Sequence, residues 1–183
     1  MSSDARFGLL HRRSFLQGAA AAALLLPLAT RRALAFDAAP LPPRTVAALE
    51  TSLFVYVCPL RRDGSESTCH GEVWYGWLDG AVVLTSAKAS WKARSAERGL
   101  DRARVWVGNY GRWKEMLGHN EAFRTGPSFD ARAHARKDEA LLNRLLASYE
   151  KKYPSEFPNW RERMRSGNAS GERVLLQYVP IPA

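Results

Sequence analysis

Residues 53–58 (LFVYVC) and 72–85 (EVWYGWLDGAVVLT) decide the fold class of this chain. Both stretches are rich in β-branched and aromatic residues, which favour strands. The dipeptides Asp63-Gly64 and Asp79-Gly80 are typical of the two-residue turns that join antiparallel strands. The sequence therefore predicts three consecutive strands, over residues 53–58, 72–78 and 81–85.

The rest of the chain mixes helices with further strands. Strand patterns cover residues 104–108, 128–136 and 173–179, and helical patterns cover residues 44–50, 90–98, 138–153 and 158–165. Gly99 and Gly167 are the predicted helix caps. This order predicts a small mixed barrel of the α+β class, mainly β, with flanking helices.

The first 35 residues have the organisation of an export signal. A polar start ending in HRRSFLQ (residues 11–17) precedes an uncharged, alanine-rich run over residues 18–28, and Ala33-Leu34-Ala35 fits a cleavage site that leaves Phe36 as the mature start. The run is shorter than the roughly 20 apolar residues of a permanent membrane helix. Residues 36–43 are predicted to be a linker, and residues 44–183 one domain.

The arginine pair resembles the twin-arginine signals of bacterial exported proteins. Arg12-Arg13 and Phe15-Leu16 carry the resemblance, whereas His11 and Gln17 depart from the usual pattern. The resemblance implies that the precursor meets the twin-arginine export machinery and that the mature protein is periplasmic or otherwise exported. A general secretory signal that happens to contain two arginines is the alternative.

Composition excludes several classes of protein. The net charge is +9, but lysine and arginine are scattered among acidic residues and form no basic stripe, so no nucleic-acid partner is expected. The chain also has no Gly-x-Gly-x-x-Gly, Gly-x-Ser-x-Gly or Walker pattern.

Two cysteines flank the first predicted turn. With Asp63 and Gly64 as the central turn residues, Cys58 and Cys69 face each other across the hairpin, so the sequence leaves open a disulfide or two reduced thiols. No metal site is expected, because His70, His119 and His134 lack the spacing from other ligands that metal sites show.

The strand-forming stretches resemble the pyridoxamine 5′-phosphate oxidase-like, flavin-binding split-barrel proteins. The resemblance lies in residues 55–64 (VYVCPLRRDG), 72–76 (EVWYG) and 85–94 (TSAKASWKAR), and more loosely in residues 149–154 and the last strand. It implies a six-stranded antiparallel split barrel, a homodimer, and FMN in clefts at the subunit interface. Some relatives hold F420 or haem instead, and some have no known cofactor.

The resemblance also implies which residues grip the flavin phosphate. They lie at the end of the third strand and in the following segment, namely Thr85, Ser86, Lys88, Ser90, Lys92 and Arg94. Hydroxyl and basic groups at a helix start suit a phosphate. A solvated basic helix face is the alternative. Trp74 and Trp91 are the predicted neighbours of the flavin ring, and no catalytic acid or base is identified.

These features predict an exported, flavin-dependent oxidoreductase with an unidentified small-molecule substrate. Flavin chemistry needs little from the protein beyond position and electrostatics, because the cofactor carries the electrons. Two other functions stay open: a flavin- or haem-binding protein without turnover, and an interaction protein with an empty cleft.

Overall fold

The structure is a computed structural model that describes residues 38–112, 114–115 and 118–182, and at residues 114, 115, 118 and 119 it describes the backbone alone. The predicted export signal lies outside the described residues. Among the described helices, none combines the length and the hydrophobicity that a membrane crossing requires.

A curled antiparallel sheet of seven strands forms the centre of the fold. Its strand order is β2-β1-β5-β8-β9-β4-β3, and a separate two-stranded hairpin joins β6 to β7. The strands are β1 (Val55–Pro59), β2 (Gly71–Val73), β3 (Gly76–Leu78), β4 (Ala81–Ala87), β5 (Arg102–Val107), β6 (Lys114–Glu115), β7 (Gly118–His119), β8 (Ser128–Arg136) and β9 (Arg173–Pro180).

The main sheet has seven strands rather than the expected six because the second predicted strand is divided. Residues 72–78 form no single strand: β2 pairs with β1 and β3 pairs with β4, at opposite edges of the sheet. Only Trp74 and Tyr75 separate β2 from β3 in sequence. The sheet therefore curls so that its two edge strands, β2 and β3, follow each other in the chain. The predicted α+β class is confirmed.

In the described part of the chain four α-helices flank the sheet, as the helical patterns predict. They are α1 (Pro43–Thr51), α2 (Trp91–Glu97), α3 (Glu139–Lys152) and α4 (Arg161–Ser170), with 3-10 turns at Ala122–Thr125 and Phe157–Asn159.

The glycine that ends α4 is Gly171, in the left-handed conformation at φ 79°, and not Gly167, which lies inside the helix. The segment before α1 is docked rather than free, since Ala39 N donates to Pro180 O at 3.1 Å.

The two faces of the sheet bury different clusters. The concave face packs alternate residues of all the central strands, such as Val57, Val105 and Leu176. On the outer face, α3 and α4 cover one end, where Leu145 and Tyr149 pack on β4 and β9. Side-chain alternation along β4 therefore decides which cluster each residue joins.

The hairpin between β1 and β2 has a different register from the expected one. Tyr56 pairs with Glu72 and Val57 with Gly71, so the position opposite Cys58 is that of His70 and not Cys69. The turn is centred on Asp63, since Arg61 N donates to Ser65 O and Leu60 forms a bridge with Glu66. Between this bridge and the ladder the second arm has two residues more than the first, so the register changes from Leu60–Glu66 to Val57–Gly71. Both cysteines are free thiols, with Cys58 buried and Cys69 exposed.

Candidate functional site

The end of β4 separates the predicted phosphate-binding residues onto two sides of the sheet. Thr85 and Ser86 are both buried, at 8% and 7% exposure. Because neighbouring strand residues point to opposite faces, Ser86 faces α2 whereas Thr85 faces α4. The predicted set is therefore not one cluster but two.

On the α2 side, two serines join the strand to the helix. Ser90 is the N-cap of α2, and its Oγ accepts a hydrogen bond from Ala93 N at 3.3 Å. The same Oγ lies 2.9 Å from Oγ of Ser86, with either hydroxyl able to donate. The serine pair fixes the loop from β4 to α2, as an N-cap does.

Lys92 and Trp91, in the first turn of α2, lie over strand β2. The ammonium of Lys92 is 4.5 Å from the centroid of the Trp91 ring. A Cβ added at Gly71 would lie 3.1 Å from Lys92 Nζ and 3.4 Å from the Trp91 ring, so glycine leaves the room for this approach. We refer to Ser86, Ser90, Trp91 and Lys92 as the α2 corner.

The charge environment of the Lys92 ammonium distinguishes the α2 corner. Among the side chains that the structure describes, no carboxylate oxygen lies within 4.0 Å of Lys92 Nζ. Burial alone lowers the pKa of Lys92, because removing the ammonium from water disfavours its charged form. An anion beside this nitrogen would restore the favourable interaction that burial removes.

On the other side of β4, Thr85 belongs to a polar network with α4 and β9. Its Oγ1 accepts hydrogen bonds from Asn168 Nδ2 at 2.8 Å and from Arg173 Nε at 3.3 Å, and its carbonyl accepts from the Arg173 guanidinium at 2.9 Å. Burial lowers the pKa of Arg173. Thr85 is therefore occupied by protein donors.

Lys88 lies in an open cavity of about 1080 Å³ beside this network, which we call the α4 cavity. Asp138, whose carboxylate caps α3 by accepting from Leu141 N, also lines it. The charged residues around the cavity are Lys88, Glu97, Arg136, Lys137, Asp138, Glu139, Arg165 and Arg173. Cations thus face three carboxylates here, in contrast to the α2 corner.

The two remaining predicted residues are in other surroundings. Arg94 is exposed on α2. Trp74 packs under α3, where its ring stacks on Tyr153 at 4.4 Å between centroids and its carbonyl accepts a hydrogen bond from Tyr149 Oη at 2.8 Å. Trp74 is accordingly part of the α3 packing and is not in the α2 corner.

Beside that aromatic stack, Lys152 is a second partly buried ammonium. Its Nζ lies 3.4 Å from the centroid of the Tyr75 ring. Burial lowers the pKa of Lys152 to about 7. The face of the Tyr75 ring favours the charged form and opposes the shift without reversing its direction.

Replacing Lys152 with methionine is expected to change the pH dependence of stability. The pKa of Lys152 is about 7 in the folded chain and about 10.4 when unfolded, so between these values the unfolded chain binds more protons and stability rises with pH. Stability therefore decreases as the pH is lowered from about 10.4 to about 7, and below that Lys152 is protonated in both states and adds no further change. Lys152→Met should be more stable than the wild type at about pH 6, with the difference shrinking by about pH 9.

Urea unfolding across this pH range measures the effect, and Lys151→Met, which changes an exposed lysine, is the control. A difference between Lys152→Met and the wild type that does not vary with pH would contradict the burial of the ammonium.

A third group of polar side chains follows from the register of the first hairpin. One ligand atom from each of Cys58, Glu66 and His70 lies within 4.8 Å of the others. Arg124 Nη1 bonds Glu66 Oε2 at 2.5 Å, and Arg124 Nη2 lies 3.0 Å from His70 Nε2. Burial opposes ionisation of Glu66, but hydrogen bonds and the charge of Arg124 hold its pKa below the ordinary value. Burial raises the pKa of the Cys58 thiol.

Sequence reasoning missed several of these residues. Asn168 and Arg173 are distant from Thr85 in sequence, and only the pairing of β9 with β4 brings Arg173 near it. No sequence pattern marks Gly71, because its role is to leave room for the side chains of Trp91 and Lys92, which pack over it only in the folded chain. Cys58 and His70 could be matched only with the correct hairpin register.

Comparison with protein-family models and with curated proteins finds no match for this chain. Solved structures do match. The conserved hypothetical protein Rv2991 from Mycobacterium tuberculosis has a TM-score of 0.53 at 17% identity, covering 80% of this chain and 84% of its own. HutZ, the haem storage protein from Vibrio cholerae, has a TM-score of 0.50 at 11% identity, covering 79% and 93%.

A proposed pyridoxamine 5′-phosphate oxidase from Listeria innocua is also similar, with a TM-score of 0.49 at 14% identity over 75% of this chain and 91% of its own. At these identities the comparisons describe fold and not activity. The chain shares its fold with Rv2991 and HutZ, and its function has to be argued from its own side chains.

Proposed function

We propose that this protein binds FMN, or a related flavin carrying a phosphate, with the phosphate in the α2 corner. It would act as an exported oxidoreductase on a small molecule. Bound flavin would supply the electron transfer. The chain would supply the charge that holds the phosphate and the aromatic surface beside the ring.

The observation that carries this proposal is the partly buried ammonium of Lys92, which has no carboxylate partner among the described side chains. A buried cation is unfavourable unless it is paired, so this nitrogen is suited to a ligand anion. The hydroxyls of Ser86 and Ser90 lie at the start of the same helix. The indole of Trp91, which already faces Lys92, offers a flat surface to the ring.

The α4 cavity is the less suitable position for the phosphate. Its cations face the carboxylates of Glu97, Asp138 and Glu139, and Arg173 already donates to Thr85. An incoming phosphate would have to compete with these groups. Of the predicted residues, Lys92 and Ser90 are therefore proposed as direct ligands, with Arg94 contributing charge from the exposed side of α2.

Export and dimerisation are part of the proposal. The arginine pair at residues 12–13 and the Ala33-Leu34-Ala35 pattern support export with a mature start at Phe36. A second copy of the chain would provide the other wall of the flavin cleft. Export of folded protein by the twin-arginine route would allow the cofactor to be loaded beforehand.

The absorption spectrum of the mature protein, purified from the compartment to which it is exported, tests the proposed cofactor. A flavin spectrum, with FMN released on denaturation, is the expected result. A haem Soret band would mean that the bound cofactor is haem and not FMN, and would contradict the proposed flavin. A spectrum without visible bands that stays unchanged when FMN is added would contradict the proposal.

A further inference from the structure

Cys58, Glu66 and His70 form a compact set of metal-ligating side chains on the outer face of the sheet. Cys58 is fully buried, and the side chains of Glu66 and His70 are 14% and 7% exposed. Glu66 Oε2 and His70 Nε2 are 3.6 Å apart, and the thiol lies within 4.8 Å of ligand atoms of both. Sulfur, nitrogen and oxygen donors of this kind are the ligands of zinc.

The cluster already accommodates a cation. The guanidinium of Arg124 donates to Glu66 Oε2 and contacts His70 Nε2. Because a guanidinium has no acceptor, Nε2 of His70 must be the acceptor in this contact. Nε2 of His70 and Oε2 of Glu66 therefore both point to the position that the guanidinium occupies, and Nε2 is unprotonated there, as it is in a metal ligand.

Groups behind the cluster fix the carboxylate. Trp106 Nε1 donates to Glu66 Oε1 at 3.3 Å, and Arg104 Nη1 lies 3.6 Å from the same oxygen. These contacts leave Oε2 directed towards His70. Outer hydrogen bonds that orient a ligating carboxylate are a regular feature of metal sites.

We propose that Cys58, Glu66 and His70 bind one Zn²⁺ ion in exchange for the guanidinium of Arg124. On binding, the S–H bond of Cys58 breaks, its proton passes to solvent, and sulfur bonds the ion. Arg124, whose side chain is 37% exposed, turns away and keeps its bond to Glu121. The fourth position of the ion takes a water molecule.

The separation of the Glu66 and His70 ligand atoms is close to what zinc requires. Tetrahedral zinc with bonds of about 2.1 Å separates its ligand atoms by about 3.4 Å. The Glu66–His70 pair is already near this value at 3.6 Å. The exposed position of Arg124 also gives the ion a path to the buried thiol, which a binding site needs.

Titration of the reduced mature chain with Co²⁺, followed by displacement with Zn²⁺, tests the site. The expected result is a thiolate-to-cobalt charge-transfer band that saturates at one ion per chain. Cys58→Ser should abolish the band and weaken Zn²⁺ binding by more than about 10-fold, since even outer-shell changes cost that much. Cys69→Ser, the matched control, should keep both. No band in the wild type, or its loss in Cys69→Ser alone, would overturn the proposal.

Two further variants test the site independently of Cys58→Ser, in case that variant does not fold. His70→Gln removes a ligand at a less buried position and should weaken Zn²⁺ binding while the Co²⁺ band keeps its thiolate character. Arg124→Gln removes the competing cation and should strengthen Zn²⁺ binding several-fold. Unchanged affinity in His70→Gln, or weaker binding in Arg124→Gln, would contradict the assignment of the site.

Discussion

Leu145→Ala is expected to lower the free energy of unfolding by about 3 kcal/mol, within the range measured for leucine truncation in packed cores. Leu145 is fully buried in the cluster between α3 and the outer face of β4 and β9, with Val83 and Leu175. Its Cδ1 would lie 3.0 Å from a Cβ at Gly76, so β3 also packs against it. Truncation therefore leaves a cavity where helix and sheet meet. Urea unfolding measures the change.

The matched control is Leu100→Ala, which truncates a leucine that is 42% exposed. This change should alter stability by less than about 0.5 kcal/mol, as surface substitutions do. Equal losses in the two variants would mean that α3 does not pack on β4 and β9 in this way.

The second large effect concerns the ligand. Lys92→Ala is expected to weaken FMN binding by roughly 10- to 100-fold, because a hydrogen bond to a charged group contributes about 1.5–3 kcal/mol. Among the side chains that the structure describes, no carboxylate pairs with this ammonium, so the substitution breaks no ion pair of the chain and its cost falls on ligand binding. Quenching of flavin fluorescence in a titration measures the dissociation constant. The Lys92→Ala, Arg94→Ala double variant should bind more weakly still.

Arg98→Ala is the control for Lys92→Ala, because it removes an exposed cation from the C-cap of the same helix. It should leave FMN affinity within about twofold, since long-range attraction between exposed charges is largely screened. Equal weakening in both variants would indicate general electrostatic attraction instead of a phosphate site.

Much of the fold follows from local patterns. Asp79-Gly80 forms the predicted tight turn, with φ of 52° and 72°, and the alternation of residues 128–136 matches β8 over the same residues. What local patterns cannot supply is the place of each strand in the sheet. Residues 72–78 are strand-forming throughout, but the closure of the sheet divides them between two edges.

The candidate site was predictable in part. Ser90 as a helix start follows from the sequence, and the structure places Ser86 and Lys92 with it. The side on which Thr85 lies depends on strand alternation together with the packing of α4, which the motif alone does not encode. A turn centred on Asp63 would by itself place Thr68 opposite Cys58, but two extra residues on the second arm, between Glu66 and Gly71, bring His70 to that position.

The most direct test of a phosphate site in the α2 corner is the ratio of the dissociation constants for riboflavin and FMN, measured by titration of the wild-type mature protein. The two ligands share the ring and differ in the phosphate. An ammonium at Lys92 that is paired with none of the described carboxylates predicts that FMN binds at least about tenfold more tightly than riboflavin. Equal affinity for the two ligands, or no binding of FMN, would contradict it.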